Sequence, residues 1–233
     1  CDFILLRINK FFNRGFLLSE IIDMDQSFDF DNFSLGKLAF TAGIKPVSAQ
    51  NKNEDKLRFR AEVQKITSMS TYIITGTCWV SIDYYCRNIN RLKNPGVYDI
   101  DNIVKPILDA LVGQNGLMVD DVLVDRVIVN WIDTPMDDHF TVEIEYPDLY
   151  FLEKSNLIFI KSISGWCWPT LKSMLQDVKS LELIQYYFRL WDSIKTEAVY
   201  YDVLPNLPIQ NFIYFGKIKD REYSFIELES LIS

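Results

Sequence analysis

Between Tyr98 and Asp121 the chain combines an apolar helical stripe with five acids, and few folds can satisfy both at once. Ile103, Val104, Ile107, Leu108 and Leu111 recur at helical spacing, which predicts a helix over 102–112 that Gly113 and Gly116 end. Asp99 and Asp101 bracket one residue in an extended approach to it, so both carboxylates can point to one side, with Asp101 or Asn102 as the N-cap. Lys105 lies one turn beyond Asp101 and Asp109 one turn beyond Lys105, on the face opposite much of the apolar stripe. Pro106 near the end of the first turn costs one backbone hydrogen bond, which a helix tolerates there. Asp120 and Asp121 follow at a hairpin-sized separation that can return Asp121 to the side of Asp101.

Grouped carboxylates repel and raise one another's pKa unless a cation compensates them. Mg²⁺ suits such a set, because it takes oxygen ligands, keeps several waters and is held by one or two carboxylates plus substrate phosphates. A metal-activated water can then attack a phosphodiester. Asp-x-Asp-Asn also resembles the start of a calcium loop, but the sixth and twelfth positions of that pattern are here Val104 and Ala110, which excludes it. Taken pair by pair, the acids could be a helix cap and a turn decoration. Two pairs with a lysine on the same helix face favour chemistry.

Charge is partitioned along the chain. The net formal charge is −8, and by segment it is −3 over 1–36, +6 over 37–98, −10 over 99–150 and −1 over 151–233. A basic stretch preceding an acidic one fits a protein that holds a polyanion with one part and cations with the other. Lys45, Lys52, Lys56, Arg58, Arg60, Arg87, Arg91 and Lys93 are the candidate DNA phosphate contacts.

The remaining segments read more coarsely. Residues 1–34 form an N-terminal extension. Leu38-Ala39-Phe40 predicts a short strand leading into a turn at Gly43-Ile44-Lys45-Pro46, and 51–67 predicts a basic amphipathic helix with Leu57, Ala61, Val63 and Ile66 as its apolar positions. Tyr72–Cys86 reads as one long strand, Arg87–Val97 as a polar loop, and Val122–Ile132 and Phe140–Tyr146 as two more strands. A boundary falls near Pro147–Phe151. Beyond it, Leu171–Trp191 reads as mainly helical, and Phe212–Phe215 with Tyr223–Leu228 suggests a terminal hairpin.

Four scattered cysteines without CxxC spacing predict buried free thiols in a reducing, cytoplasmic setting. A 48% hydrophobic composition without low-complexity tracts predicts a folded chain, and no segment has the long uncharged run of a membrane span. Because residue 1 is Cys1 and not methionine, a trimmed or truncated start is expected. His139 reads as a turn residue at a strand start.

The string Asp99-x-Asp101-Asn102-x-x-Lys105-x-x-x-Asp109-Ala110-Leu111, then Asp120-Asp121 ahead of a strand, resembles the central motif of RusA-family crossover-junction endodeoxyribonucleases. The likeness extends over about 35–147, through the Lys45-Pro46-x-Ser48-x-Gln50 turn. It implies a small α/β (α+β) core, a mixed sheet with packed helices, that cleaves Holliday-junction or other branched DNA as a homodimer with Mg²⁺, Mn²⁺ being the expected substitute. It further implies Asp99, Asp101 and Asp121 as metal ligands with Asp120 assisting, and Lys105 as catalytic. Two positions depart from the family pattern: Leu123, where a Gln is common, and Trp131, where a basic residue is common. The alternative is a nuclease-derived DNA- or protein-binding module with a vestigial or structural metal site, in which the segment 148–233 recruits another protein. RNA as substrate, and recombination, repair, phage DNA processing or defence as setting, all stay open.

Overall fold

A computed structural model of the chain describes residues 28–29, 36–93, 99–147, 150–203 and 211–231. Its centre is a five-stranded sheet of β1 (Phe28–Asp29), β2 (Lys37–Ala42), β4 (Cys78–Arg87), β5 (Val124–Thr134) and β6 (His139–Glu145), in the spatial order β1-β2-β6-β4-β5. All its pairings are antiparallel except β4 with β5. It is thus the small mixed sheet that the resemblance implies.

A parallel pair needs a crossover, because its two strands start at the same end. The crossover carries the short helix α2 (Asn88–Lys93) and then α3 (Ile100–Ala110), while α1 (Asn53–Thr67) links β2 to β3 (Tyr72–Ile74). Strict alternation in β6 and β4 sends Phe140, Val142, Ile144, Val80, Ile82 and Tyr84 into the core. Ile103, Ile107 and Leu108 of α3 and Phe59, Val63 and Ile66 of α1 pack into the same core.

Several expectations need correction. The 72–86 stretch is two strands in different sheets: β3 pairs with β7 (Phe151–Glu153), and the break lies at Gly76. There the ring of Tyr150 sits where a Cβ would be, with Tyr150 Cγ 2.5 Å from that position, and the Thr75 N–H donates to the Tyr150 carbonyl at 2.7 Å. Of the expected polar loop, Asn88–Lys93 is helical, and 94–98 lies outside the described residues. On α1 the buried stripe runs through Phe59, two residues beyond the expected Leu57, which is 65% exposed. Helix α3 begins two residues early, so Asp99 is its extended N-cap residue and Asp101 falls in the first turn.

That earlier start makes Pro106 an interior residue of α3. Proline has no N–H to give the Asn102 carbonyl one turn back. The Ala49 N–H takes that place, donating to Asn102 O at 2.6 Å, and so binds the 45–50 turn to the site helix. After the helix, Gly113 adopts φ +101°, and Gly116 lies so close to the Leu111 backbone that a Cβ would stand 2.1 Å from the carbonyl oxygen.

The C-terminal part builds a second sheet in the order β10-β9-β8-β11, from β8 (Leu157–Lys161), β9 (Trp166–Leu171), β10 (Ile213–Tyr214) and β11 (Phe225–Glu227). The expected terminal hairpin does not form, because β10 pairs with β9 and β11 pairs in parallel with β8 on the opposite edge. The helix expected from Leu171 starts at Val178, after β9 and a 3-10 turn; α4 spans Val178–Ser193 and is capped by Asp177, which accepts the Ser180 N–H. Alternation along these strands divides them between two cores. Phe159, Cys167 and Ile213 join the central core, whereas Ile160, Trp168 and Phe212 pack with Ile184 and Phe188 of α4.

Cys78, Cys86 and Cys167 are free and buried, with burial pushing the Cys78 and Cys167 thiols up to about 12, so they are poor nucleophiles. Cys1, most of the 1–34 extension and 148–149 lie outside the described residues. Among the described residues, no helix is long and apolar enough to cross a membrane.

Candidate active site

The acids of the central motif gather as two pairs along α3 and its return. Asp99 and Asp101 share a hydrogen bond at the start of α3, and this contact, with the Asp101 charge behind it, raises the Asp99 pKa above the usual carboxylate range. Two carboxyls this close repel when both ionise unless a cation lies beside them.

Asp120 and Asp121 form the second pair. Asp120 is 1% exposed; its Oδ1 accepts the Val122 N–H at 3.2 Å and caps the 3-10 turn Asp121–Leu123 that leads into β5. Burial first, and the neighbouring Asp121 as well, push its pKa up. For Asp121, burial works upward but is outweighed by the Lys105 ammonium, so its carboxyl is held below the usual range.

Lys105 stands midway along the same helix face. Its Nζ donates to Asp109 Oδ1 and to Asp121 Oδ2, each at 2.6 Å, and the side chain remains 56% exposed. Desolvation alone would lower its pKa, yet the two carboxylates raise it. The ammonium therefore supplies Asp121 with its counter-charge, and Asp109 shares it. The i, i+4 spacing makes the Lys105–Asp109 contact legible from sequence; the Lys105–Asp121 contact needs the fold.

Among the described residues, no three His, Cys, Asp or Glu side chains stand close enough to form one metal-holding group. The donor set still fits a hard divalent ion. Such ions need only one or two protein carboxylates, completing their shell with water and phosphate oxygens, and each acid pair offers that number.

The eight basic candidates separate into groups. Lys52 and Arg58 on and before α1, and Lys93 at the end of α2, are exposed. Lys45 and Arg87 converge on the Asp137–Asp138 turn: Lys45 Nζ lies 3.5 Å from Asp138 Oδ2, and the Arg87 guanidinium lies 3.0 Å from Asp137 Oδ1. Lys56 donates to the Ala49 carbonyl at 3.3 Å. Arg60 turns inward to the Val112 carbonyl at 3.2 Å; burial, then the nearby Arg221, lowers its pKa. The Arg91 side chain lies outside the described residues.

At the two departures from the family pattern, Leu123 is buried in the core and Trp131 stacks edge-on against Tyr84 at 5.1 Å. His139 opens β6, donates its Nδ1–H to the Asp137 carbonyl at 2.8 Å, and stacks on Tyr85 with centroids 4.4 Å apart.

Sequence reading missed the groups that reach the acids from the C-terminal part. Arg221 Nη2 lies 3.4 Å from Asp120 Oδ2, and the Tyr223 hydroxyl donates to the Val119 carbonyl at 3.2 Å. The Lys217 charge also helps hold the Asp121 carboxyl down. About a hundred residues separate these partners in the chain, and no local pattern marks them.

Residues 47–145 match the family model of endodeoxyribonuclease RusA, a span that holds both acid pairs and Lys105 and ends before β7. No curated protein matches the chain.

Proposed function

From a domain, residues 47–145, that matches the endodeoxyribonuclease RusA family, we propose that this protein is a Mg²⁺-dependent endonuclease that hydrolyses phosphodiester bonds in DNA, with branched or Holliday-junction DNA as substrate and Mn²⁺ able to substitute. One observation carries the reading: two acid pairs on one helix and its return, each with a raised carboxyl, flank a lysine that already neutralises one of them. Asp120 and Asp121 have Arg221 and Lys105 beside them, whereas the Asp101 contact raises the Asp99 pKa, as acids grouped without a cation do, and so calls for one.

Asp99 and Asp101 are the ligands at the head of α3, and Asp121 with the assistance of Asp120 is the ligand set at the entry to β5. A divalent ion held there supplies an activated water and neutralises charge on the scissile phosphate. The chain's own residues do the rest. Asp99, whose pKa the Asp101 contact raises, would hold the ion only in its ionised form, so its binding would favour loss of the Asp99 proton. Lys105 leaves Asp121 for the phosphate, where its ammonium meets the charge that builds during cleavage. Asp109 keeps Lys105 on the site face of α3 during that exchange. Lys52, Arg58 and Lys93 hold the DNA backbone, and Lys45 and Arg87 guide it past the Asp137–Asp138 turn. A two-fold homodimer would present two such sites for paired cuts on a symmetric junction.

The separateness of the two pairs favours a second reading, in which the domain binds DNA or protein and the acids are a structural or vestigial site. Incubation with four-way junction, duplex and single-stranded DNA and RNA, with and without Mg²⁺, decides between them. Metal-dependent nicking that Asp101→Asn abolishes is expected. Tight metal-independent binding with no cutting of any substrate would establish the second reading instead.

A further inference from the structure

We infer that Arg221, outside the segment that matches the nuclease family, is a positioning residue for the acid pair at Asp120–Asp121. The inference rests on the proposed role of Asp121 as a ligand. Arg221 reaches Asp120 from the turn that follows α5 (Phe215–Ile218), with its Nη2 3.4 Å from Asp120 Oδ2. The Asp120 side chain is only 2% exposed, so this guanidinium is the cation beside a buried carboxyl that water barely reaches. The other oxygen, Oδ1, holds the Val122 N–H. One carboxyl group therefore ties the C-terminal turn to the 3-10 turn that begins at Asp121.

A second tie lies two residues further on. The Tyr223 hydroxyl bonds the Val119 carbonyl, immediately before the acid pair, and its ring packs on Phe159 of β8 with centroids 5.0 Å apart. The backbone at 119 and the side chain at 120 are thus both fastened to residues 221–223. Asp121, the next residue, inherits its direction from that anchorage and delivers its Oδ2 to Lys105 at 2.6 Å. Arg221 acts on Asp121 through Asp120 and the turn, without touching the reacting groups.

Arg221 also borders a cleft of about 330 Å³ with Arg60, Gln64 and Gly113, so direct contact with DNA is the competing role. Two variants separate the roles. Arg221→Met keeps the bulk and removes the charge, whereas Arg221→Lys keeps the charge and loses the planar two-pronged geometry. Each is measured for melting temperature, for kcat and KM on junction DNA in Mg²⁺, and for Mn²⁺ binding by electron paramagnetic resonance, which needs no cutting. At near-native melting temperature, both variants should lose kcat by about 10- to 100-fold, the range seen for residues that orient metal ligands, with KM little changed.

Arg221→Lys should also bind Mn²⁺ more weakly, although no positive charge was removed. The double variant Asp120→Asn/Arg221→Met should be no worse than the weaker single, because both changes break the same link. Native kcat in both Arg221 variants, a raised KM with a flatter salt dependence, or additive effects in the double variant would overturn the assignment. If the native protein cuts nothing, the nuclease reading fails by itself. Weaker Mn²⁺ binding in Arg221→Lys would then still support the positioning role, and unchanged binding would end it.

Discussion

Replacing Lys105 with methionine separates the stability of the site from its chemistry. The ammonium contacts Asp109 and Asp121 at 2.6 Å each, but its side chain is 56% exposed and the carboxylates are 45% and 28% exposed. Such water-screened pairs stabilise a fold by only about 0–1 kcal/mol each, far below the bare Coulomb energy at that distance. Lys105→Met should therefore lower the melting temperature of a chain this size by no more than roughly 4–8 °C if both pairs count fully, and by less if they do not. Metal binding should move the opposite way. The ammonium competes with a cation for Asp121, so removing a contact worth about 1 kcal/mol should tighten Mg²⁺ binding up to about fivefold. Cutting should nonetheless fall by about 100-fold or more, as when a charge aimed at the transition state is removed. Calorimetric Mn²⁺ or Mg²⁺ titration, thermal unfolding and nicking of junction DNA together give all three numbers. Weaker metal binding that parallels the lost cutting would refute the reasoning, since Lys105 would then only hold the site together.

Three further outcomes are expected. Tyr223→Phe removes a buried hydroxyl and leaves the Val119 carbonyl unpaired, which costs about 1–3 kcal/mol and should lower the melting temperature by roughly 2–12 °C; calorimetry at fixed pH measures it. In the metal-free protein Asp99 and Asp120 keep their protons to higher pH than free carboxyls do, because both values are raised; these acids favour the fold most at low pH, their contribution is lost as pH rises through the raised values, and Mg²⁺ affinity should increase over the same window with proton release measurable in weakly buffered solution. Burial lowers the Lys154 pKa from 10.5 to about 8, so the unfolded chain binds the proton more readily between those values and native stability rises with pH across them. Lys154→Met removes up to about 3 kcal/mol of penalty at pH 7, offset by about 1 kcal/mol for its lost bond to the Thr67 carbonyl; the gain should vanish near pH 11 in thermal melts.

The parts of the fold legible in the sequence are those set by local period. The α3 stripe, the alternation of β6 and the Lys105–Asp109 spacing all follow from which residues recur every two or every three to four positions. The break at Gly76 was hidden because it depends on Tyr150, which fills the space over the glycine from seventy-odd residues away. Leu57 misleads for another reason: Leu57 and Phe59 both fit a helical stripe with Val63 and Ile66 at their approximate spacings, and only the sheet beneath selects Phe59, which packs on Phe140 at 5.9 Å. At the site, the chain announces its acids and Lys105 but not the partners that reach them from the C-terminal part. Arg221 and Tyr223 carry no motif, and their reach to Asp120 and Val119 is a property of the second sheet and its turn.

Pro106 gives the site helix a bond that other helices keep for themselves. Because the ring cannot satisfy Asn102, that oxygen is left for Ala49, and a defect internal to one segment becomes a rivet between two. Rotating or sliding α3 would tear this joint without any internal bond to replace it. The helix that carries Asp101, Lys105 and Asp109 is thus held in a single azimuth, and an alanine at 106 would free it to close on itself and let the 45–50 turn drift.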